Sequence, residues 1–316
     1  MGVALGLGAA LSWGLADYFA AVASRGIGAL RVVLGFHLAA LIPLTVLVLV
    51  TDALARVSLG QVALFVLVGA VGWVSYLAFY GALEIGPISV LSPVVSGYAA
   101  VTALLAVLIA GNHLSALQAI AVAITIAGAM LASADVREIA RAKLERRSAL
   151  GFLLALAAMA LLGTFVFGVS YYRQRIGWMA PIFLARAFAT VFVLGHVLAS
   201  RGRPGSVTGD APPATGDIPP AVAGVPAAPA GRRAARRPGK LVALMALLGL
   251  LDTGGYVCFN LGVGHAAMAI VAAASAPYAV VPIVMGVSLF AERPTGAQWL
   301  GIAVVISGVI LLGVVA

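Results

Sequence analysis

Apolar residues run in long blocks along this chain, and short polar punctuation divides them into ten stretches. They cover approximately 2–22, 30–50, 62–82, 88–110 and 114–133, then 149–170, 180–199, 241–261, 266–290 and 295–315. A helix crossing the hydrocarbon core of a bilayer needs about 20 mostly apolar residues, so each block predicts a transmembrane helix. Most connections are short, which favours antiparallel neighbours. Two segments differ. Residues 134–148 (ADVREIARAKLERRS) place Val136, Ile139 and Leu144 at near-helical spacing among charged positions, the pattern of a brief amphipathic helix at the membrane surface. Residues 201–240 are rich in Pro, Ala and Gly without any periodic apolar face, which predicts disorder with polyproline character. Their closing cluster of Arg232, Arg233, Arg236 and Arg237 could read lipid headgroups. A variable linker is the reading adopted.

The blocks repeat. Residues 62–132 and 242–312 align at a constant offset of 180, with Gly69 on Gly249, Tyr76 on Tyr256, Phe79 on Phe259, Tyr98 on Tyr278, Gln118 on Gln298 and Gly128 on Gly308. Each half holds five blocks, and an odd number sends the second copy into the bilayer from the opposite side. The expected fold is an all-α membrane protein of ten helices in two inverted five-helix repeats. Residues 1–133 form the first repeat, 134–148 a basic connector and 149–316 the second repeat, with 201–240 as an internal loop. Many secondary transporters use inversion of this kind to give one site two access routes.

Composition agrees. Hydrophobic residues make up 63% and charged ones only 9%, with a mean hydropathy of +1.13, which excludes a soluble globule. The net charge of +9 lies in connecting segments rather than on one face, which suits anionic lipid and argues against a nucleic-acid partner. Fifteen of the 19 basic residues fall in the odd-to-even connections, leaving Arg56, Arg173, Arg175 and Arg186 on the other side. Positive charge stays cytoplasmic, so 134–148 and 201–240 are expected inside and both termini outside. The start of the chain lacks a basic region before its first apolar block, so 2–22 reads as a retained helix. Cys258 is the single cysteine, which leaves no intrachain disulfide and no cysteine zinc cluster.

Several residues carry a resemblance to a known family: Ser12-Trp13-Gly14 in the first helix, Arg31 and Arg186 near the starts of the second helix of each half, and Leu289-Phe290-Ala291-Glu292-Arg293 followed by Gln298, Gly301 and Gly308. Gln118 and Gly128 repeat part of that tail in the first half. With these the chain resembles the drug/metabolite transporter (DMT) superfamily, and within it the ten-helix EamA-like branch. The resemblance covers nearly everything except 134–148 and 201–240. It implies transport of amino acids, nucleosides, sugars, aromatic compounds or drugs, commonly outward and in some members in exchange for protons. The pattern is broken at Asn112, where a Glu is expected, and at Leu162-Gly163, which stand where the first half has Trp13-Gly14. Relatives imply cytoplasmic termini, against the charge count of this chain; the charge count is followed.

Carboxyls inside a membrane cost about 2.5–3.5 kcal/mol each on insertion scales and mark function by default. Asp17 lies within the first block and Asp252 near the middle of the eighth, before Thr253-Gly254-Gly255. Both are candidates for proton coupling. Tyr256 and Asn260 share the Asp252 face of that helix at spacings of four and eight, and Tyr76 and Tyr80 occupy the matching face of the third. Two such faces would enclose a cavity of aromatic rings and polar tips for a small amphipathic solute. Tyr98 and Tyr278 sit at equivalent places in the fourth and ninth blocks, which Pro93, Pro277 and Pro282 interrupt. Proline removes a backbone donor and kinks a helix, freeing carbonyls toward a cavity. Trp13 completes the candidate substrate-binding set of Trp13, Tyr76, Tyr80, Tyr98, Tyr256, Asn260 and Tyr278. For each of these a plain structural role, an interhelical hydrogen bond or a place in the interfacial belt, is the competing reading.

His37, His113, His196 and His265 have no ligand-spaced partner, so no metal is expected, nor any cofactor. Arg31 and Arg186 read as snorkelling side chains at the interface, or as holders of a substrate carboxylate or phosphate. The function expected is a secondary transporter of the plasma (inner) membrane that exports small metabolites or drugs by alternating access, with proton coupling through Asp17 or Asp252, acting as a monomer or homodimer. A lipid or lipid-linked-sugar translocase of the same fold is the alternative. An intramembrane serine hydrolase built on Ser96 or Ser275 lacks a paired His in a diagnostic context, so no enzyme is expected.

Overall fold

A computed structural model describes residues 1–27, 29–85, 94–133, 146–200, 238–281, 284 and 295–315. Ten principal helices can be traced among them. The first half has α1 (Gly2–Ile27), α2 (Ala29–Thr51), α3 (Leu59–Ile85), α4 (Tyr98–Leu108) and α5 (Ala116–Ser133). The second has α6 (Arg146–Tyr171), α7 (Met179–Ser200), α8 (Pro238–Gly262), α9 (Met268–Ser275) and α10 (Gly296–Val315). One extra turn, Arg173–Ile176, follows α6, and a 3-10 turn, Ala276–Ala279, continues α9. No strand occurs among the described residues.

Apolar content makes these segments membrane helices, and local polar chemistry sets where three of them start. Ser58 and Gln61, Ser115 and Gln118, and Thr295 and Gln298 each exchange side-chain to backbone hydrogen bonds at a helix entry, with the Gln oxygen 2.8, 3.0 and 2.8 Å from the capping amide. These are capping boxes, satisfying two amides that a helix start leaves without partners. Seven helices, α1, α2, α3, α6, α7, α8 and α10, are long and apolar enough to cross a bilayer; α4, α5 and α9 are apolar but shorter. Large apolar side chains such as Ile42, Leu49 and Leu250 point outward, on surface that only lipid would cover favourably. The chain is a multi-pass membrane protein.

The described parts of the predicted fourth and ninth spans are shorter than 88–110 and 266–290. Pro277 does break its helix, into the 3-10 turn. Pro93 and Pro282 lie outside the described residues, as do Glu292, Arg293, residues 134–145 of the connector and 201–237 of the loop; α6 and α8 begin in the remainders.

Packing is mostly between the halves and obeys a twofold rule. α3 packs on α6 as α8 packs on α1, α3 on α7 as α8 on α2, and α4 on α6 as α9 on α1; α5 meets α10, α4 meets α9 and α2 meets α7. Close contacts give the register. A side chain at Gly14 would strike the Tyr278 carbonyl, and one at Gly163 the Tyr98 carbonyl; Gly69 lies against Ala189 and Gly249 against Ala40. The first two helices of each half therefore correspond at an offset of 149, and the later ones at 180. Extra chain between α7 and α8 accounts for the change. Along the α5–α10 seam Gly308 meets Thr125, Gly128 meets Val305 and Gly301 meets Ala132, so the two mates run antiparallel, as inverted copies must.

Candidate functional site

Between the halves lies a cavity with about 470 Å³ free of protein atoms, its open mouth included. α1 contributes Trp13 and Asp17, and its mate α6 contributes Leu162 and Val166 at the same register. α3 presents Tyr76 and Phe79, while α8 presents Asp252 and Tyr256. Tyr98, at the start of α4, and Tyr278, in the 3-10 turn after α9, close the ring. Both tyrosines stand where a helix is interrupted, which is how the short α4 and α9 bring polar side chains to the cavity.

The aromatic walls meet nearly at right angles. Trp13 lies edge-on to Tyr256 at 5.0 Å and to Tyr98 at 6.1 Å between ring centroids, and Tyr98 meets Tyr278 at 5.5 Å. The Trp13 indole donates to the Asp252 carbonyl oxygen at 3.1 Å and presses on the backbone of Gly255, a position that admits no larger residue without displacing the ring. The Tyr98 hydroxyl lies 3.0 Å from that of Ser275, which itself donates to the Ala272 carbonyl. One candidate hydrolase nucleophile is thus engaged in a contact between α4 and α9.

The charges are arranged unequally. Arg186 of α7 is buried and forms an ion pair with Asp252 of α8. Its guanidinium lies over the Phe36 ring at 5.8 Å and the Tyr256 ring at 5.6 Å, and Tyr76 donates to the other Asp252 oxygen at 3.3 Å. Asp252 therefore has a cation and a hydroxyl to offset its desolvation. Asp17 is half-buried at the cavity wall, and among the described residues no cation or hydrogen-bond donor reaches it.

Of the residues singled out in the sequence, Trp13, Asp17, Tyr76, Tyr98, Asp252, Tyr256 and Tyr278 converge on this cavity. Asn260 stands one turn beyond Tyr256, fully buried, with its amide donating to the Tyr256 carbonyl at 3.0 Å and its Oδ1 without a partner among the described residues. The side chain of Tyr80 lies outside the described residues. Arg31 is exposed, in keeping with an interfacial place, but Arg186 is not interfacial: only 3% of it is exposed. The signal was depth, since Arg186 lies well inside its predicted span, where an unpaired charge is costly. The structure also corrects the pairing of those two arginines. At the offset of 149, Arg186 corresponds to His37 and Arg31 to Ala180. Leu162 and Val166 carried no chemical signal, yet the register of Trp13 and Asp17 points straight to them.

No curated protein matches the chain by sequence. A solved structure described only as "Crystal structure of protein" is similar in fold, with a TM-score of 0.69 at 15% identity, covering 100% of this chain and 97% of the other. The model of the EamA-like transporter family matches residues 1–134 and 220–314, most of the sequence, and the chain belongs to that family, within the drug/metabolite transporter superfamily.

Proposed function

We propose that this DMT-type membrane transporter exports small metabolites or drugs by alternating access, exchanging them for protons. The observation that carries the reading is the cavity between antiparallel mates, walled by two tyrosine pairs that exchange under the twofold rule. In such an arrangement the closed and open ends can trade roles, because each half can adopt the packing the other now has. Trp13, Tyr76, Tyr98, Tyr256 and Tyr278 would hold the solute. Asn260, one turn beyond Tyr256 on α8, and Tyr80, by its sequence position on α3, would line the solute's route in the alternate state. The proton would be carried at Asp17. Asp252, committed to Arg186, would take part only when that pair is broken. The basic connector and loop face the cytoplasm in this scheme, in the plasma (inner) membrane.

Labelling with a membrane-impermeant thiol reagent tests alternation without knowledge of the solute. In a Cys258→Ala background, the labelled variants are Leu162→Cys, on the cavity wall, and Asn260→Cys, fully buried and outside the lining. We expect acid and alkaline pH to change their reactivity in opposite directions, each from one side of sealed vesicles. Unchanged labelling of both at every pH would rule alternating access out.

A further inference from the structure

Resting on the transport reading above, the contact between α4 and α9 bears on which of the two access states is favoured. The Ser275 hydroxyl uses its hydrogen on the Ala272 carbonyl at 2.8 Å, so its oxygen can only accept, and the Tyr98 hydroxyl donates to it at 3.0 Å. Both side chains are buried. Further along, Asn112 Oδ1 accepts from the Ala269 amide at 3.3 Å, in the first turn of α9, whose own N-cap residue supplies no side-chain bond. Tyr98 opens α4 and Asn112 stands just past its last residue, Leu108, so α4 is tied to α9 at both ends. The twofold relation does not reproduce the hydroxyl pair. At the offset of 180 Tyr98 corresponds to Tyr278 and Ser275 to Val95, whose side chain offers no acceptor. Among the described residues the Tyr278 hydroxyl has no hydrogen-bond partner, although its ring lies against that of Tyr98.

We infer that Tyr98 and Ser275, with Asn112, form a clamp that holds one end of the cavity shut and biases the access equilibrium toward the state seen here. Backbone packing is alike on the two sides, with Gly14 against the Tyr278 carbonyl and Gly163 against the Tyr98 carbonyl, so it favours neither state. The hydroxyl pair does. Tyr98 shares one apolar cluster with Ala272 and Ala276, on either side of Ser275, whereas Val95 lies in another, with Ala155 and Ala158 of α6, which does not contain Tyr278. Exchange of the two packings would part Tyr98 from Ser275 and set Tyr278 against Val95, so one buried hydrogen bond is lost and none is made. The clamped end is the one at which α4 stops and α9 begins. Asn260 lies in the last turn of α8, where Gly262 meets Val271 of α9, so release of the clamp uncovers it. Ser275 is thus a positioning residue for transport, acting through Tyr98 on the population of the two states.

The test uses full-length protein in sealed vesicles at one fixed pH, with Cys258→Ala throughout, Asn260→Cys or Leu162→Cys as reporter and a membrane-impermeant maleimide as probe. Ser275→Ala removes the acceptor from the present state, and Val95→Ser supplies one to the alternate state. Each is expected to speed labelling of Asn260→Cys from one face of the vesicle and to slow that of Leu162→Cys from the other. The change should be about two- to tenfold, the range of one hydrogen bond. The two substitutions together should multiply their effects. Tyr98→Phe should match Ser275→Ala, and joining those two should add nothing, because both remove the same bond. Labelling that rises at both reporters, as general loosening would give, or that neither Ser275→Ala nor Val95→Ser moves, overturns the inference; so does full additivity of Tyr98→Phe with Ser275→Ala. Val95→Ser leaves the clamp itself untouched and decides alone if Ser275→Ala fails to fold. Alternation is read separately from the pH response of the same reporters, so a protein that alternates with pH but ignores these substitutions keeps the transport reading and loses this one.

Discussion

The two halves use the same positions for packing and different ones for charge. Gly14 and Gly163, Gly69 and Gly249, and Gly128 and Gly308 each let a helix approach the corresponding partner, and Tyr76 with Tyr256 and Tyr98 with Tyr278 build matching cavity walls. Where chemistry enters, the match fails. Trp13 faces Leu162 across the twofold relation, Asp17 faces Val166, Arg186 faces His37 and Asp252 faces Gly72. The mismatch is compensated in volume: Gly72 leaves room that the Phe165 ring fills, and the position corresponding to Phe165 is the small Ala16. A duplicated scaffold thus keeps its backbone contacts twofold while one cation and both cavity carboxylates sit on one side of the relation. Packing must serve both access states, whereas a single bound solute needs its charged partner only once.

The sharpest break of this comparison is at the ion pair. Removing one member leaves the other buried and uncompensated, which costs about 3–5 kcal/mol, whereas replacing both with apolar residues is often neutral. Asp252→Leu and Arg186→Met should each lower the thermal unfolding temperature strongly, and the double variant should recover most of the loss. A double variant no better than the singles would mean that the pair is not what sets the stability of this region. Next in size are the twofold glycines. Gly14→Ala and Gly163→Ala each force a methyl group to within about 2.5 Å of backbone or Val side-chain atoms, and overpacking of this kind costs about 1–3 kcal/mol. The two should destabilise alike, while Gly60→Ala, with open space around it, should leave unfolding unchanged. Unequal effects at Gly14 and Gly163 would show that the twofold packing is less faithful than its contacts suggest.

Much of this architecture was legible in the sequence because the glycine pairs Gly69 with Gly249 and Gly128 with Gly308 and the wall tyrosines recur at one offset of 180, and a fixed offset is visible without structure. The capping boxes at Ser115 and Thr295 belong to the same register. What stayed hidden depends on contacts between helices remote in the chain. Arg186 and Asp252 are separated by 66 residues and lie on different helices, so no periodicity links them. The extra chain between α7 and α8 changes the offset from 180 to 149 for the first two helices of each half, which hid the correspondence of Arg186 with His37. Asn260 shows the opposite limit. Spacing placed it correctly on the Asp252 face of α8, but spacing along one helix does not tell where a cavity ends, and here the amide turns back to its own helix.

His37 gives the smallest and most discriminating test. It occupies the place of Arg186, but because Gly72 stands where Asp252 would be, it has no carboxylate to meet. Thr190 already donates its hydroxyl hydrogen to the Arg186 carbonyl at 2.7 Å, so at 3.3 Å from His37 Nδ1 that oxygen can only accept, which makes Nδ1 the donor. Nε2 is then an acceptor, buried and without a partner among the described residues. One long hydrogen bond on one nitrogen is set against an unsatisfied atom on the other, so His37→Leu should shift stability by no more than about 1 kcal/mol in either direction. The corresponding change on the other side of the twofold relation, Arg186→Leu, belongs with the large losses above, and the ratio between the two measures how one-sided the charge network is. His37→Leu should also leave the pH dependence of the thiol labelling as it is, since the ring meets the Asp252 carboxylate only through Tyr76. A displaced pH profile in that variant would mean that His37 takes up a proton during the cycle, so that the first half carries a second proton-exchanging group besides Asp17.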